Sequence, residues 1–207
     1  MKDSNKSRVK QDFDEYKAKP KQRSYVGVIL GAGDYNADNI DPNGALGVSI
    51  GAYLDDHFAI EGSFLYSNYE LEEFWRRDID DIYKEIDQYD FSLTAKYSIL
   101  PGRLKPYVSG SVGYIYRVYT DRTFYEDYED EADTITSNSV NAGFGVGLDF
   151  FVNERFSVGF EYRYSLNVYN NSNSDFLDRD DFREPSNTEP VEEIEYSTMA
   201  FTSKLVF

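Results

Sequence analysis

One segment constrains the fold of this chain most. Large apolar residues alternate strictly with small or charged ones along 156–169, FSVGFEYRYSLNVY. One set of alternate positions holds Phe156, Val158, Phe160, Tyr162, Tyr164, Leu166 and Val168. The other set holds Ser157, Gly159, Glu161, Arg163, Ser165 and Asn167. Because successive side chains of a β-strand point to opposite faces, the segment predicts a strand with one apolar and one polar face.

Seven further segments between Ser24 and Phe207 repeat this pattern. With 156–169, the predicted strands are 24–34, 44–54, 58–69, 88–100, 105–119, 137–151 and 195–207. Each is long enough to cross a bilayer as a tilted strand, which takes about 9–11 residues. Tight turns are expected at Asp55–His57, Pro101–Leu104 and Val152–Arg155, and longer connections at Asp34–Asn43, Glu70–Asp87, Thr120–Thr136 and Asn170–Ile194.

The sizes of the side chains on the two faces decide which face is the interior. A soluble barrel such as a lipocalin also alternates, but the interior of an eight-stranded barrel has room only for side chains. The small and charged face therefore fits inside, and the large apolar face must point outward into lipid. We predict an all-β fold, an eight-stranded antiparallel up-and-down transmembrane β-barrel with short periplasmic turns and long extracellular loops. The barrel would comprise residues 24–207, with both chain termini on the periplasmic side.

The last predicted strand, EYSTMAFTSKLVF, carries Phe201, Leu205 and Phe207 on its apolar face. With this strand, the strand number and the loop sidedness, residues 24–207 resemble the small eight-stranded outer-membrane barrels of the OmpA/OmpX type. The resemblance implies the outer membrane of a Gram-negative bacterium, with outer-membrane lipid and lipopolysaccharide around the barrel. It also implies that Phe201, Leu205 and Phe207 form the signal that the outer-membrane assembly machinery reads.

Aromatic residues are expected to mark the two edges of the membrane. The chain contains 19 tyrosines and 15 phenylalanines, and aromatic girdles flank the apolar band of such barrels. Tyr66, Tyr89, Tyr116 and Tyr164 are candidates for the outer edge, and Phe58, Tyr97, Phe150, Phe156 and Phe207 for the inner edge. Ordinary β-propensity is the alternative explanation.

Ionisable residues on the polar face are expected inside the barrel. They are Glu61, Asp90, Lys96, Arg117, Asp149, Glu161, Arg163 and Lys204. Counting from the turns places Glu61 level with Lys96, Glu161 level with Lys204, and Asp90 near Arg117. Because buried charges need partners, a structural ion-pair network that fills the lumen is one interpretation. A narrow or gated pore lined by these charges is the other.

The net charge of −17 is concentrated outside the predicted strands. Residues 1–23 form a basic tail with eight Lys and Arg against four acids, whereas the three longest loops hold eight, seven and eight acids against three, one and two basic residues. Such loops repel nucleic acid, so no nucleic-acid partner is expected. Acidic clusters at 78–81, 126–131 and 178–181 lack EF-hand spacing, so solvated loops compete with divalent-cation binding as an interpretation. We assign no metal or cofactor.

The loops also contain aromatic residues, which predict a surface that recognises an external protein or glycan. They are Phe74, Trp75, Tyr125, Tyr128, Phe176 and Phe182. Packing of loop against loop is the alternative. His57, the only histidine, stands beside Asp55 and Asp56 in a predicted periplasmic turn, whereas barrels that modify lipid A use a histidine near the outer face. We therefore assign no catalytic residue.

The sequence favours a non-enzymatic outer-membrane barrel with a plugged polar lumen, which supports the envelope or recognises an external partner. A small or gated pore for ions or small solutes is the second interpretation, and a lipid-modifying barrel enzyme is the third. Two interpretations stay open for the tail 1–23. Val9, Phe13 and Tyr16 recur at the spacing of a short amphipathic helix, and an unstructured segment that ends at Pro20 is the alternative.

Overall fold

A computed structural model of the chain describes residues 22–35, 43–71, 83–122, 134–172 and 195–207. These form the strands β1 (Arg23–Tyr35), β2 (Asn43–Tyr53), β3 (Phe58–Leu71), β4 (Tyr83–Ser98), β5 (Leu104–Arg122), β6 (Thr134–Asn153), β7 (Phe156–Ser172) and β8 (Tyr196–Val206). Each strand pairs antiparallel with the next, and β8 pairs with β1. The predicted eight-stranded antiparallel barrel is therefore confirmed. No helix in the described ranges is long and apolar enough to cross a membrane.

The barrel has two different ends. The connections 54–57, 99–103 and 154–155 lie at one end, which we call the turn end. The opposite end, the loop end, is where the strands lead into 36–42, 72–82, 123–133 and 173–194, which lie outside the described residues. The basic tail also falls outside them up to residue 21.

Six strands are longer than predicted, and β4 to β7 gain the most residues, mainly toward the loop end. β4 begins at Tyr83 rather than at residue 88, and β4 to β7 contain 16, 19, 20 and 17 residues. By contrast β1, β2 and β8 contain 13, 11 and 11 residues. The apolar alternation stops where the outward residues become polar, but the backbone pairing continues, as where Asp87 lies opposite Val118. Periodicity therefore located the apolar part of each strand and missed its extension.

The outward face of the barrel is mostly apolar. On β7, Phe160 lies opposite Phe201 of β8, and the two rings are 5.3 Å apart. Phe201 keeps 66% of its surface exposed. Other large apolar side chains that point outward are Val28, Leu30, Val48, Ile50, Leu93, Val112, Phe144, Val146 and Leu205. These side chains would contact the hydrocarbon region of a bilayer.

Glycines on the inward face lie opposite larger inward side chains. A Cβ atom added at Gly51 would lie 2.5 Å from the Tyr25 ring, and one added at Gly147 would lie 2.4 Å from the Tyr107 ring. Both are direct cross-strand pairs. The same relation holds for Gly27 and Ser49, Gly113 and Asn141, and Gly159 and Asp149. Small residues on one strand thus leave space in the lumen for the larger side chains of the neighbouring strand.

The uninterrupted alternation predicted for 156–169 ends in a bulge. Val140 of β6 pairs with Tyr169, and Asn141 pairs with Asn167, so Val168 is the extra residue on β7. Val168 and Tyr169 are both exposed, at 67% and 64%. A β-bulge inserts one unpaired residue and locally re-aims the side chains that follow, so Tyr169 points outward.

Candidate functional site in the barrel lumen

Aromatic rings fill the lumen at the turn end. Tyr25 and Tyr53 lie 4.9 Å apart between ring centroids, and Tyr53 and Phe151 lie 5.6 Å apart. All three are buried, together with Ala59. The ammonium group of Lys105 lies 5.5 Å from the centroids of both Tyr53 and Phe151, which is within the range of a cation–π interaction.

An ion-pair cluster lies above these rings. Lys96 Nζ is 2.8 Å from Glu61 Oε1 and 2.9 Å from Glu161 Oε2. Arg163 Nη2 lies 3.2 Å from Glu161 Oε1. The side chains of Lys96, Glu61 and Glu161 are almost fully buried. Buried charges are tolerated when they are paired, and these four side chains carry two positive and two negative charges in mutual contact.

Hydroxyl groups complete the coordination of the two glutamates. Tyr25 Oη donates to Glu61 Oε2 at 2.8 Å. Tyr107 Oη donates to Glu161 Oε2 at 3.0 Å, and Ser109 Oγ donates to Glu161 Oε1 at 3.1 Å. Each carboxylate is held by both a cation and a neutral donor, which fixes its orientation.

Lys204 belongs to the same cluster through a different partner from the one predicted. Its Nζ is 2.9 Å from Asp149 Oδ1 and 3.8 Å from Glu61 Oε2. The expectation that Glu161 and Lys204 share a height is wrong, because Lys204 lies opposite Ser157 and Glu161 lies opposite Ala200. Counting from the turns ignored the stagger between neighbouring strands that closes a barrel.

Arg117 holds a second polar layer nearer the loop end. It is fully buried, and its Nε donates to Tyr35 Oη at 2.9 Å and to Gln88 Oε1 at 3.1 Å. Its Nη1 donates to Ser139 Oγ at 2.8 Å. The register places Gln88 opposite Arg117, so the residue level with the guanidinium is Gln88 rather than the predicted Asp90.

Asp90 has its own partners in this layer. Its Oδ2 accepts from Tyr196 Oη at 2.6 Å, and its Oδ1 accepts from Ser92 Oγ. Tyr196 Oη in turn accepts from Asn141 Nδ2 at 2.9 Å. Sequence reasoning missed these tyrosines because their position in the alternation does not reveal which side chains meet across the lumen.

A small cavity separates the two polar layers. It has a volume of about 30 Å³, and its lining includes Glu161, Arg163, Asp90 and Thr202. This volume suits a few water molecules at most. Within the described ranges no group of three or more His, Asp or Glu side chains is placed to hold a metal ion.

The turn 54–57 holds the only histidine of the chain. His57 Nδ1 lies 2.8 Å from the carbonyl oxygen of Ser98, and its ring stacks on Tyr97 at 5.8 Å. Asp55 Oδ1 accepts from the backbone N–H groups of Phe58 and His57, both at 2.7 Å. These hydrogen bonds, that of Phe58 above all, hold the pKa of Asp55 below its ordinary value.

Near the loop end, three outward-facing tyrosines each donate a hydrogen bond to a polar side chain beside them. Tyr66 Oη donates to Asp87 Oδ1 at 2.6 Å, and Tyr114 Oη donates to Asn138 Oδ1 at 2.7 Å. The third is Tyr164, which donates to Glu195. The sequence singled out Tyr66 and Tyr164 but missed their acceptors. Asp87 lies diagonal to Tyr66 on the neighbouring strand, a relation that becomes visible only with the β3–β4 register.

The other predicted site residues divide between the outer wall and the long connections. Phe201, Leu205 and Phe207 all point outward at the surface of the barrel. The predicted recognition aromatics Phe74, Trp75, Tyr125, Tyr128, Phe176 and Phe182, and the acidic clusters at 78–81, 126–131 and 178–181, lie outside the described residues.

A charged interior inside an apolar wall is the arrangement of a membrane barrel, and comparison with known proteins agrees. The family model of the outer membrane protein beta-barrel domain matches residues 13–183. The chain belongs to this family. No curated protein matches the barrel in sequence.

Solved structures of outer-membrane proteins superpose on the barrel at low identity. Neisserial surface protein A is 12% identical with a TM-score of 0.54, covering 89% of this chain and 96% of its own. Ail of Yersinia pestis is 13% identical with a TM-score of 0.54, covering 92% and 100%. A major outer membrane protein of Thermus thermophilus is 12% identical with a TM-score of 0.56, covering 89% and 99%. These similarities show the fold alone.

Proposed function

We propose that this barrel is a non-enzymatic outer-membrane anchor with a closed lumen, which presents its loop-end connections to a basic protein surface outside the cell. The observation that carries the closed lumen is the pairing of Lys96 with Glu61 and Glu161 at 2.8 and 2.9 Å, fully inside the barrel. Opening a path for ions would break these contacts in a medium of low dielectric constant, which is costly.

The two ends of the barrel support an orientation in the membrane. Outer-membrane barrels have short periplasmic turns and longer extracellular loops. The turn end, with connections such as 154–155, therefore faces the periplasm in this proposal, and the loop end faces the outside. Both chain termini then lie on the periplasmic side.

The charge of the loop-end sequences supports a basic partner. The predicted loops Glu70–Asp87, Thr120–Thr136 and Asn170–Ile194 each carry at least five more acids than basic residues. Ail was solved in complex with a heparin analogue, sucrose octasulfate. The acidic loops of this barrel would repel such a polyanion, whereas a basic surface is attracted over about 10 Å at moderate ionic strength.

Single-channel recording of the refolded protein in planar bilayers tests the closed lumen. We expect no reproducible conductance from the wild type, and a heat-modified gel shift shows that the recorded protein is folded. Stable conductance that changes in Lys96→Ala or Arg163→Ala would establish the pore alternative in its place.

Binding to the barrel in lipid nanodiscs tests the basic partner. Poly-L-lysine should bind with an affinity that falls as salt is raised, and heparin should not bind at the same concentrations. A variant with Asp178→Asn, Asp180→Asn and Asp181→Asn should bind poly-L-lysine more weakly. Equal affinity of wild type and variant, or tight binding of heparin, would count against recognition through the acidic loops.

A further inference from the structure

An apolar groove crosses the outward face of the barrel. It has a volume of about 1150 Å³ and reaches from Leu205 of β8 to Val140 of β6. Phe64 and Leu93 are among the side chains along its two sides. The floor is open at Gly62, where an added Cβ would meet nothing closer than Ile50 O at 3.9 Å. A groove of this shape gives a hydrocarbon chain more van der Waals contact than a smooth wall does.

A polar cluster borders the groove on its loop-end side. Asp87 Oδ1 accepts from Tyr66 Oη at 2.6 Å and from Asn68 Nδ2 at 2.9 Å. Asn68 and Asp87 are direct cross-strand partners, near the cross-strand pair of Tyr66 and Tyr89. Two donors thus fix a partly exposed carboxylate on the outward face, where lipid headgroups would lie.

Aromatic rings form a platform beside this carboxylate. The rings of Tyr66 and Tyr89 are 5.3 Å apart, and those of Tyr89 and Tyr116 are 6.1 Å apart. Together they form a row across β3, β4 and β5. Their apolar faces can carry the C–H face of a sugar ring, while their hydroxyls stay at the wet edge.

The charge of the cluster selects the headgroup. An ionised carboxylate only accepts hydrogen bonds and has about four lone-pair sites, so Asp87 can accept from hydroxyl groups in addition to its two donors. A phosphate would be repelled by Asp87. Among the basic side chains that the structure describes near this cluster, Arg117 of β5 is turned inward and fully buried.

From these contacts we infer that the outer wall of β3 to β6 binds one glycolipid with an uncharged, hydroxyl-rich headgroup. Its sugar lies on the Tyr66, Tyr89 and Tyr116 row and donates hydrogen bonds to Asp87. One acyl chain follows the groove past Phe64 toward Gly62. The site is on the lipid-facing wall and is independent of any partner that binds the loops.

Native mass spectrometry of the full chain released from detergent micelles tests this inference. The protein is mixed with equal amounts of monogalactosyldiacylglycerol and phosphatidylglycerol of the same acyl length. The wild type should retain one glycolipid in preference to the phospholipid. Asp87→Ala should lower the retained glycolipid about tenfold, the loss expected for hydrogen bonds to a charged group. Asp87→Lys should reverse the preference in favour of phosphatidylglycerol.

Two further substitutions separate the groove from the rest of the wall. Gly62→Leu fills the groove and should lower glycolipid retention. Gly110→Leu is the matched control, because Gly110 lies on the same wall, lines no part of the groove and has nothing within 4 Å of an added Cβ. Glu195→Ala is the control for Asp87, because Glu195 accepts from Tyr164 away from the groove.

The inference is overturned if the wild type retains both lipids equally, or if the controls lose as much glycolipid as Asp87→Ala and Gly62→Leu. Retention unchanged in Gly62→Leu, with the heat-modified gel shift intact, would also overturn it. A failure here leaves the closed lumen and the basic partner standing, since conductance and poly-L-lysine binding do not depend on these residues.

Discussion

The ammonium group of Lys204 on β8 lies 2.9 Å from each carboxylate oxygen of Asp149 on β6, with β7 between them. The contact bridges over β7 on the lumenal side and joins strands that share no backbone hydrogen bonds. Tyr53 Oη adds a longer hydrogen bond to Asp149 at 3.4 Å. Side chains therefore brace the barrel across its interior, in addition to the ladders around its wall.

Removing one member of this pair should be strongly destabilising. Lys204→Met leaves the Asp149 carboxylate buried without its main cation, which costs about 3–5 kcal/mol. Urea-induced unfolding in lipid vesicles, followed by the gel shift, measures the change. Adding Asp149→Leu should recover most of the loss, because the uncompensated charge is then gone. Losses that simply add in the double variant would contradict this account.

The glycine opposite Tyr107 should not tolerate a methyl group. In Gly147→Ala the new Cβ would lie 2.4 Å from Tyr107 Cζ and 2.7 Å from Phe160 O. The Tyr107 ring must shift from its hydrogen bond to Glu161, and overpacking of this kind costs about 1–3 kcal/mol. Gly110→Ala, on the outward wall with open space around it, is the control and should change the same unfolding free energy little. Similar effects at the two positions would show that the inward face is not closely packed.

A charge on the apolar wall should cost most in the middle of the membrane. Phe201→Lys places an ammonium group among outward apolar side chains about halfway along β8, and lysine at the bilayer midplane costs about 2–4 kcal/mol. Val168→Lys, near the loop end of β7, is the comparison and should cost about 0–1 kcal/mol, as near an interface. Reversible unfolding in bilayers of defined thickness measures both. Equal costs would mean that the apolar band does not match the bilayer as described.

Asp55 should stabilise the turn only when it is ionised. Its pKa is lowered by the backbone N–H groups of Phe58 and His57, so the folded value lies below the unfolded value of about 3.9. The stabilisation is then present above that unfolded pKa and is lost as the pH falls through the folded one. The difference in unfolding free energy between wild type and Asp55→Asn should shrink between about pH 5 and pH 2. Asp56→Asn, an acid removed from the same turn, is the control, and an identical profile for the two variants would contradict the role of Asp55.

The fold was predictable because one physical rule applies to every strand. Alternation gives each strand an apolar and a polar face. Because the interior of an eight-stranded barrel is small, large apolar residues such as Phe160 point outward and Glu161 points inward. The residues that line the lumen were predictable for the same reason, since Lys204 and Asp149 were both expected inside. The contact between Lys204 and Asp149 was not predictable. Alternation shows which face a residue occupies, but it does not show at which height along the barrel two lumenal side chains meet.

Alternation also failed to predict which side chains meet on the outer wall. Tyr66 was expected at the edge of the membrane from its aromatic character, and the structure adds that Asp87 accepts its hydroxyl. The position of Asp87 follows only from the β3–β4 register. In the sequence it stands within the predicted loop Glu70–Asp87, where nothing distinguishes it from the other acids.

The pairing of inward glycines with large side chains has a consequence for how such a chain can change over time. Gly51 and Tyr25 occupy one space between them, as do Gly147 and Tyr107. A gain of volume at one member of a pair is accepted only with a loss at the other. The two members are therefore expected to vary together among homologous sequences, so that neighbouring strands evolve as coupled halves of one packing unit.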